Sequence, residues 1–249
     1  MNDEDKMTID EWNETRILVD EYVEELDRKQ LSASLEPKTP REIELRKLAS
    51  ILYEHATKIE PEITDDIREI SNITNGQMLG KKNLKTGLIK PSHVLKEKHG
   101  LERKILADSE AYHGDLVDAM KGIRDSVRYT IIFDDDYYVA GVDDFLHQLE
   151  QMGYYDLEVK NTWGSDACQG INTKLKAKDG SFFEIQFHTD GGYYIKEKCT
   201  RKLYQVIRDD DAPLKLKYMA NKLRKILQTT VRVPVGALEY RFDSSLKRR

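Results

Sequence analysis

The stretch Phe182-Phe183-Glu184-Ile185-Gln186-Phe187-His188 decides the fold around it, because apolar and polar residues alternate along its length. Successive side chains of a β-strand point to opposite faces of the sheet. One face is therefore predicted to enter a core, with Phe183, Ile185 and Phe187. The other face presents a carboxylate, an amide and an imidazole in one row, from Glu184, Gln186 and His188.

Three more runs alternate in the same way and are predicted to be strands: Val127 to Phe133, Leu157 to Thr162, and Ile171 to Leu175. In the first of them, Arg128 takes the polar face. The guanidinium of Arg128 and the carboxylate of Glu184 can therefore reach the same cavity.

A helix is predicted from Val139 to Met152, where apolar residues recur at helical spacing and can cover the sheet. These elements together predict an α/β (α+β) fold. We expect a mixed, mostly antiparallel sheet of about five strands that is flanked by helices. The acids Asp134, Asp135 and Asp136 precede the predicted helix, and we interpret them as a capping turn rather than a metal site.

The chain begins with helical signals. Thr8 and Glu11 have capping-box spacing, and an apolar stripe follows. Its members are Ile9, Trp12, Leu18, Tyr22 and Leu26. After a polar linker, Thr39-Pro40 with Glu42 predicts a second helix, and Thr64 after Pro61 predicts a third. We expect residues 1–60 to be a helical N-terminal extension of a domain that spans residues 61–249.

Composition limits the classes of function. A net charge of -5 over 249 residues does not suggest a protein that coats nucleic acid. No apolar run reaches the length of a membrane span, and the start of the chain is acidic, unlike a signal peptide. The two cysteines match no zinc or redox spacing. We expect a protein of the cytoplasm that makes no membrane contact, although export as an effector stays open.

Three motifs carry a resemblance to a known family. They are Lys160-Asn161-Thr162-Trp163, Cys168-Gln169-Gly170-Ile171-Asn172-Thr173 and Glu184-Ile185-Gln186-Phe187-His188-Thr189. Together they resemble the synthetase domain of RelA/SpoT-type alarmone synthetases. Their residues are most similar to those of the toxin-like, stand-alone nucleotide 3′-pyrophosphokinases. The resemblance covers roughly the last two thirds of the chain and implies a nucleotidyltransferase-like synthetase fold.

The resemblance implies a reaction in which the β,γ-pyrophosphate of ATP moves to the 3′-hydroxyl of a purine nucleotide, with Mg²⁺ as cofactor. The product would be an alarmone of the (p)ppGpp or (p)ppApp type. Glu184 would be the base and a metal ligand, Asp125 a metal ligand, and Gln186 an orienting group. The phosphate contacts would come from Lys96, Arg103, Lys104, Arg128, Lys160 and His188. The acceptor would be bound by Asn172, Gln169 and Trp163.

The basic segment from Lys81 to Lys104 has eight Lys or Arg residues against two glutamates. A solvated helix face is the usual explanation for such a run. We favour a triphosphate cradle, because the charge agrees with the family motif around Lys96 and Lys104. This sequence departs from the motif at Val94 and Gly100, and Lys85 or Lys90 could supply a missing charge.

Two further departures concern the acceptor. Cys168 stands where the family has a base-stacking tyrosine, and Asn172 stands where it has a histidine. A thiol provides no aromatic platform, so recognition of the acceptor base must differ. His188 replaces a family arginine and is either a phosphate contact or a polar strand residue that faces the cleft.

Several alternatives stay open at this level. The hydrolase half of bifunctional synthetases has no counterpart here, which motivates a growth-inhibiting toxin that a neutralising immunity or antitoxin protein would control. Pyrophosphorylation of a tRNA 3′ end is a second reading. A catalytically inactive nucleotide-binding regulator is a third. Whether the acceptor carries adenine or guanine also stays open.

Overall fold

The computed structural model describes residues 6–33, 39–82, 89–91, 94–165 and 169–243. Its centre is a sheet of five strands in the spatial order β1-β4-β7-β6-β5. The strands are β1 (Gln77–Met78), β4 (Arg128–Ile132), β5 (Tyr155–Asn161), β6 (Ile171–Lys176) and β7 (Phe182–His188), and a separate hairpin consists of β2 (Gly80–Lys82) and β3 (Ile89–Pro91). Only β4 and β7 pair in parallel, and the other neighbours pair in antiparallel. The predicted mixed, mostly antiparallel sheet is confirmed.

The described helices are α1 (Ile9–Ala33), α2 (Pro40–Ile73), α3 (Lys98–Asp108), α4 (Leu116–Gly122), α5 (Tyr138–Gln151), α6 (Asp190–Tyr194), α7 (Arg201–Arg208) and α8 (Leu214–Gln228). A π-helical turn, Ile195–Thr200, joins α6 to α7. Both predicted capping boxes form. The amide of Glu11 donates to the Thr8 hydroxyl at 3.2 Å, and the amide of Glu42 donates to the Thr39 hydroxyl at 3.2 Å. Within the described ranges, no helix combines the length and apolar composition that crossing a membrane requires.

The main core lies between one face of the sheet and helices α2 and α5. Phe183, Ile185 and Phe187 of β7 are all fully buried there, as the alternation predicts. Because β4 and β7 are in register, Tyr129 and Ile131 lie beside Ile185 and Phe187 on the same face. The opposite face keeps the polar residues of β4, β6 and β7 together, which creates the site.

Helix α2 runs without interruption through Pro61, so the separate helix predicted from Thr64 is wrong. The predicted domain boundary at residue 60 falls inside this single helix. A proline within a helix costs one hydrogen bond and some strain, but Ile63, Ile67 and Ile70 beyond it are buried in the main core. Thr64 does not cap a helix, since its hydroxyl lies 2.8 Å from the hydroxyl of Tyr129.

Helix α1 packs on α7 and α8 by a face that keeps Trp12 and Tyr22 of the predicted stripe but not Ile9 and Leu18. Ile9 and Leu18 are exposed, whereas Thr15, Val19 and Val23 are buried. The two valines form a cluster with α7 and α8. Thr15 can be buried on this face because its hydroxyl donates to the carbonyl of Glu11 at 2.6 Å and so needs no water.

The acids before α5 form a turn, as predicted, but they do not cap the helix. The amide of Tyr137 donates to the carbonyl of Asp134 at 3.0 Å, and the N-cap position of α5 is Tyr137, whose side chain makes no capping bond. Asp136 instead pairs with Arg232 at 2.9 Å. The helix begins too far along the chain for these carboxylates to reach its first amides. Arg232 therefore binds the carboxylate of Asp136 instead.

Candidate active site

The site is built on β7 at the centre of the sheet. In register, Glu184 lies between Arg128 of β4 and Lys174 of β6. Gln186 lies between Thr130 and Asn172 in the same way. Since residues paired across neighbouring strands point to one face, the sheet brings a carboxylate and two cations together. The predicted grouping of Glu184, Gln186 and Arg128 on one face is therefore what the register produces.

A continuous line of hydrogen bonds runs along this row. The amide nitrogen Nε2 of Gln186 donates to Oε1 of Glu184 at 2.7 Å. The ammonium of Lys196, which enters from the π-helical turn, donates to Oε1 of Gln186 at 2.5 Å. The same ammonium lies 3.0 Å from Nε2 of His188, and Nδ1 of His188 lies 2.9 Å from the carbonyl oxygen of Gln169.

His188 is a buried, neutral imidazole. Only 1% of it is exposed, and burial together with the charge of Lys196 lowers its pKa to about 3. The partners define the tautomer, because a carbonyl only accepts and an ammonium only donates. Nδ1 therefore carries the proton, and Nε2 accepts from Lys196. Because both ring nitrogens are bonded within the protein, the structure favours the second interpretation of His188, a polar strand residue of the cleft, over a phosphate contact.

Lys196 is the residue of this row that sequence reasoning left out of the candidate set. It stands eight positions after His188, on a helix whose other cations are exposed. Its spacing alone does not distinguish an inward lysine from an outward one. The π-helical turn, which widens the helix by one residue, has no sequence signal that could have found it.

A second cluster surrounds Asp125, where the chain enters β4. The segment at Leu95 pairs antiparallel with Val127, and the amide of Lys96 donates to the carbonyl of Ser126 at 3.0 Å. This pairing sets the side chain of Lys96 beside Asp125, with Nζ 2.5 Å from Oδ2. Lys104, from α3, reaches Oδ1 of the same carboxylate at 3.4 Å.

The two partners of this ion pair are both shielded from solvent. Burial raises the pKa of Asp125, but the charges of Lys96, Lys104 and Arg128 outweigh it, so the pKa of the carboxyl is lowered on balance. Burial also lowers the pKa of Lys96, and the attraction of the Asp125 carboxylate offsets only part of this effect. Because the charge of Arg128 acts on Lys96, Asp125 and His188 alike, Arg128 links the two clusters.

The departures from the family motif have structural consequences. Val94 is buried in the main core, so its position supplies packing instead of charge. A side chain at Gly100 would come within 3.3 Å of Cγ of Lys96, so glycine leaves room for that lysine to pass against α3. Arg103 is exposed on the same helix, whereas Lys104 turns to Asp125. Lys85 and the side chain of Lys90 lie outside the described residues.

The predicted acceptor residues are dispersed. Trp163 is only 2% exposed and packs edge-on against Tyr138, with ring centroids 5.3 Å apart. Its ring belongs to the core, and this corrects its placement in the acceptor site. Asn172 stays on the polar face opposite Gln186, and within the described part of the chain its buried Oδ1 has no hydrogen-bond partner. Gln169 contributes its carbonyl to His188. Cys168 lies outside the described residues.

Lys160, predicted to contact phosphate, is exposed on the edge strand β5 opposite Asn172. Three strand spacings separate β5 from β4, which is about 14 Å at the usual distance between strands. Lys160 therefore borders the acceptor side of the face and does not join the cluster around Asp125.

The donor set suits a magnesium ion that arrives with a nucleotide. Mg²⁺ is commonly held by one or two carboxylates together with substrate phosphates. Asp125 precedes β4 by three residues, and the amide of Glu184 donates to the carbonyl of Val127 at 3.0 Å, so both predicted ligands flank one strand pair. Among the described residues, no group of three His, Cys, Asp or Glu side chains could hold a metal without such phosphates.

The chain matches no family profile and no curated protein sequence. Among solved structures, the Type VI effector Tas1, in the complex with its immunity protein, is similar over 74% of this chain and 98% of its own, with 18% identity and a TM-score of 0.47. A GTP pyrophosphokinase family protein from Streptococcus pneumoniae is similar over 73% and 85%, with 12% identity and a TM-score of 0.37.

The small alarmone synthetase 1 from Bacillus subtilis, bound to its product pppGpp, is similar over 72% of this chain and 88% of its own, with 11% identity and a TM-score of 0.40. Each of these TM-scores is below 0.5. The likenesses are therefore too weak to assign a family, and the function rests on the residues of the site.

Proposed function

We propose that this protein is an ATP-dependent nucleotide pyrophosphokinase that transfers the β,γ-pyrophosphate of ATP to the 3′-hydroxyl of a purine nucleotide. The observation that carries the proposal is the arrangement on one sheet face of Glu184, held by Gln186, beside Arg128 and the cluster of Asp125, Lys96 and Lys104. A base and a group of cations around a second carboxylate are what this transfer requires. The family resemblance of the motifs that contain these residues supports the same reaction.

The base has a defined task. A ribose hydroxyl is a weak nucleophile at neutral pH and needs a positioned proton acceptor. In the proposed reaction the 3′-oxygen attacks the β-phosphorus of ATP, and the bond from that phosphorus to the oxygen bridging to the α-phosphorus breaks. AMP leaves with the bridging oxygen, and the hydroxyl proton passes to Glu184. Among the described residues, Oε2 of Glu184 accepts no side-chain hydrogen bond, so we assign the proton to that oxygen.

The cations offset the charge that builds on the transferred group. Such electrostatic stabilisation is the main contribution a protein makes to phosphoryl transfer. Lys96, Lys104 and Arg128 are placed for this role, because all three act on Asp125. Mg²⁺, when bound, would neutralise phosphate charge further, and Asp125 and Glu184 are the carboxylates that would hold it.

Labelled ATP tests the reaction directly. The purified protein is incubated with ATP labelled at the γ-phosphate, Mg²⁺, and AMP, ADP, GDP, GTP or tRNA in separate reactions. We expect label on one purine nucleotide together with released AMP. In Glu184→Gln both should fall by at least about 10²-fold, because a positioned base typically contributes that much. Glu69→Gln is the matched control, since Glu69 is exposed on α2, which packs on the other face of the sheet.

The outcomes separate the alternatives. Label on tRNA alone would replace the nucleotide acceptor with an RNA acceptor. No transfer to any acceptor, with ATP still bound, would favour a nucleotide-binding regulator. Transfer by Glu184→Gln at the rate of the wild type would remove Glu184 from the chemistry.

A growth-inhibiting role follows from the same proposal, because an unopposed pyrophosphokinase consumes ATP. Cells that express the wild type should stop growing, and cells that express equal amounts of Glu184→Gln should not. Co-expression of a neutralising protein that binds the chain should restore growth. Equal growth of both strains, with expression confirmed, would contradict the toxin role without affecting the enzymatic assay.

A further inference from the structure

The hydrogen bonds from Gln169 to Glu184 run in a fixed direction. His188 donates from Nδ1 to the Gln169 carbonyl, so its Nε2 must accept in the neutral ring. Lys196 donates to that nitrogen and to Oε1 of Gln186. The amide oxygen of Gln186 therefore faces the ammonium, and its NH₂ group must face the carboxylate of Glu184. No link can reverse while its neighbours stay in place.

The fold builds this chain from several elements. Lys196 lies on the π-helical turn between α6 and α7, and such turns occur frequently at functional sites. The helix begins directly after β7, where the hydroxyl of Thr189 accepts from the amide of Gly192 at 3.2 Å. The imidazole is enclosed from the other side by Gly170, where an added Cβ would lie 2.7 Å from Nδ1 of His188. The ring therefore has one position, and so has the lysine it contacts.

We propose that Lys196 is a positioning residue for the catalytic carboxylate: held by His188, it orients the Gln186 amide, which in turn holds Oε1 of Glu184 and directs Oε2 at the acceptor hydroxyl. This role rests on the proposed function. The low pKa of His188 supports it, because a protonated ring could not accept from an ammonium. Misplacing a reacting group by about 1 Å can cost about 10²-fold in rate, which sets the scale of the effect.

A direct phosphate contact by Lys196 is the competing role, and kinetics distinguish the two. A residue that only positions the base affects the transition state, whereas a residue that binds phosphate equally in both states affects KM. In Lys196→Met we expect kcat to fall about 10²-fold, with the KM values for ATP and acceptor within about threefold of the wild type. Lys198→Met is the matched control, since Lys198 lies two residues away on the same turn and is exposed.

A structural readout accompanies the kinetics. Nitrogen NMR of the wild type should show the His188 ring as the Nδ1–H tautomer, and Lys196→Met should shift the Nε2 resonance while Lys198→Met leaves it in place. His188→Gln serves as a second variant, with thermal unfolding to confirm that each protein folds. It should lower kcat in the same direction as Lys196→Met.

Each outcome bears on the proposal. A rise in KM with unchanged kcat in Lys196→Met would overturn the positioning role in favour of phosphate binding. Wild-type kinetics in Lys196→Met, or the opposite tautomer of His188, would also overturn it. A wild type that transfers nothing, with the expected ring resonances present, would reject the proposed function and the catalytic role while leaving the hydrogen-bond chain established.

Discussion

His188 shows at the scale of one residue how a buried side chain ties the site to the stability of the fold. Its ring is surrounded by the cations Lys196 and Arg128 and by the carbonyl of Gln169, and it stays neutral in the folded protein. Burying a charged imidazole beside two cations would be costly, because the ring would lose its hydration and both cations would repel it. His188, for which the sequence left a phosphate contact and a polar strand residue both open, therefore supports the site through its contact with Lys196.

Acidification should destabilise the protein through His188. The pKa of this ring is about 3 in the folded state, against 6.5 as the ordinary value. Below pH 6.5 the unfolded chain binds a proton that the folded chain does not, so the free energy of unfolding falls as the pH falls toward 3. By pH 5 the loss from this residue should be about 2 kcal/mol. Urea unfolding at pH 7.5 and pH 5 measures it.

His188→Gln is the comparison for this measurement, because the other histidines remain. The variant should lose less stability than the wild type over the same interval. An identical pH dependence in the two proteins would mean that His188 does not stay neutral in the folded state.

At the scale of an element, Gly170 directly before β6 allows the chain to approach β7 closely. Gly170 sits directly against the β7 backbone, where an added Cβ would lie 2.7 Å from the carbonyl oxygen of Phe187 as well as from the ring of His188. Both atoms belong to well-packed groups that cannot move cheaply. Glycine at this position is therefore required by close approach.

Gly170→Ala should lower the free energy of unfolding by about 1 to 3 kcal/mol, which is the usual cost of overpacking. It should also lower the rate of pyrophosphate transfer, because the displaced ring holds Lys196. Gly191→Ala is the control, since nothing lies within 4 Å of its added Cβ and the residue is helical. The control should be neutral or more stable by up to about 1 kcal/mol. Equal unfolding free energies for the two variants would contradict this account of Gly170.

The whole molecule couples the N-terminal helix to the site through its C-terminal helices. Val19 and Val23 of α1 pack on α7 and α8, and the hydroxyl of Tyr22 donates to Asp209 at 2.9 Å. Burial and the Asp209 carboxylate raise the pKa of Tyr22 to about 12, so this contact persists well above neutral pH. Because α7 continues the π-helical turn that carries Lys196, α1 supports that turn from behind.

Val23→Asp should release α1 while leaving the sheet folded, since an unpaired buried carboxylate is costly and the main core does not include α1. Hydrogen exchange should accelerate in α1 and in α7, and kcat should fall with the loss of support behind Lys196. Ile17→Asp, at a position on α1 that is 59% exposed, is the matched control. Unchanged exchange in α7 after Val23→Asp would show that α1 does not support that helix.

Local sequence signals determined part of this picture. The alternation of β7 sets three apolar side chains in the core and three polar ones on the site face, and the structure keeps both sets. The capping boxes at Thr8 and Thr39 form as their spacing predicts. Both signals depend on the spacing of residue types over a few positions, which can be read directly from a sequence.

Tertiary structure alone decided that Val19 and Val23 complete the buried face of α1, that Trp163 lies in the core, and that Lys196 contacts His188. Each of these depends on a partner far along the chain, as the contact between Tyr22 and Asp209 illustrates. The sequence by itself determined four strands of the sheet, the helix starts at Thr8 and Thr39, and the residue types of the site. The positions and charge states of those residues were decided by long-range packing, because burial and hydrogen-bond partners come from segments that local periodicity does not connect.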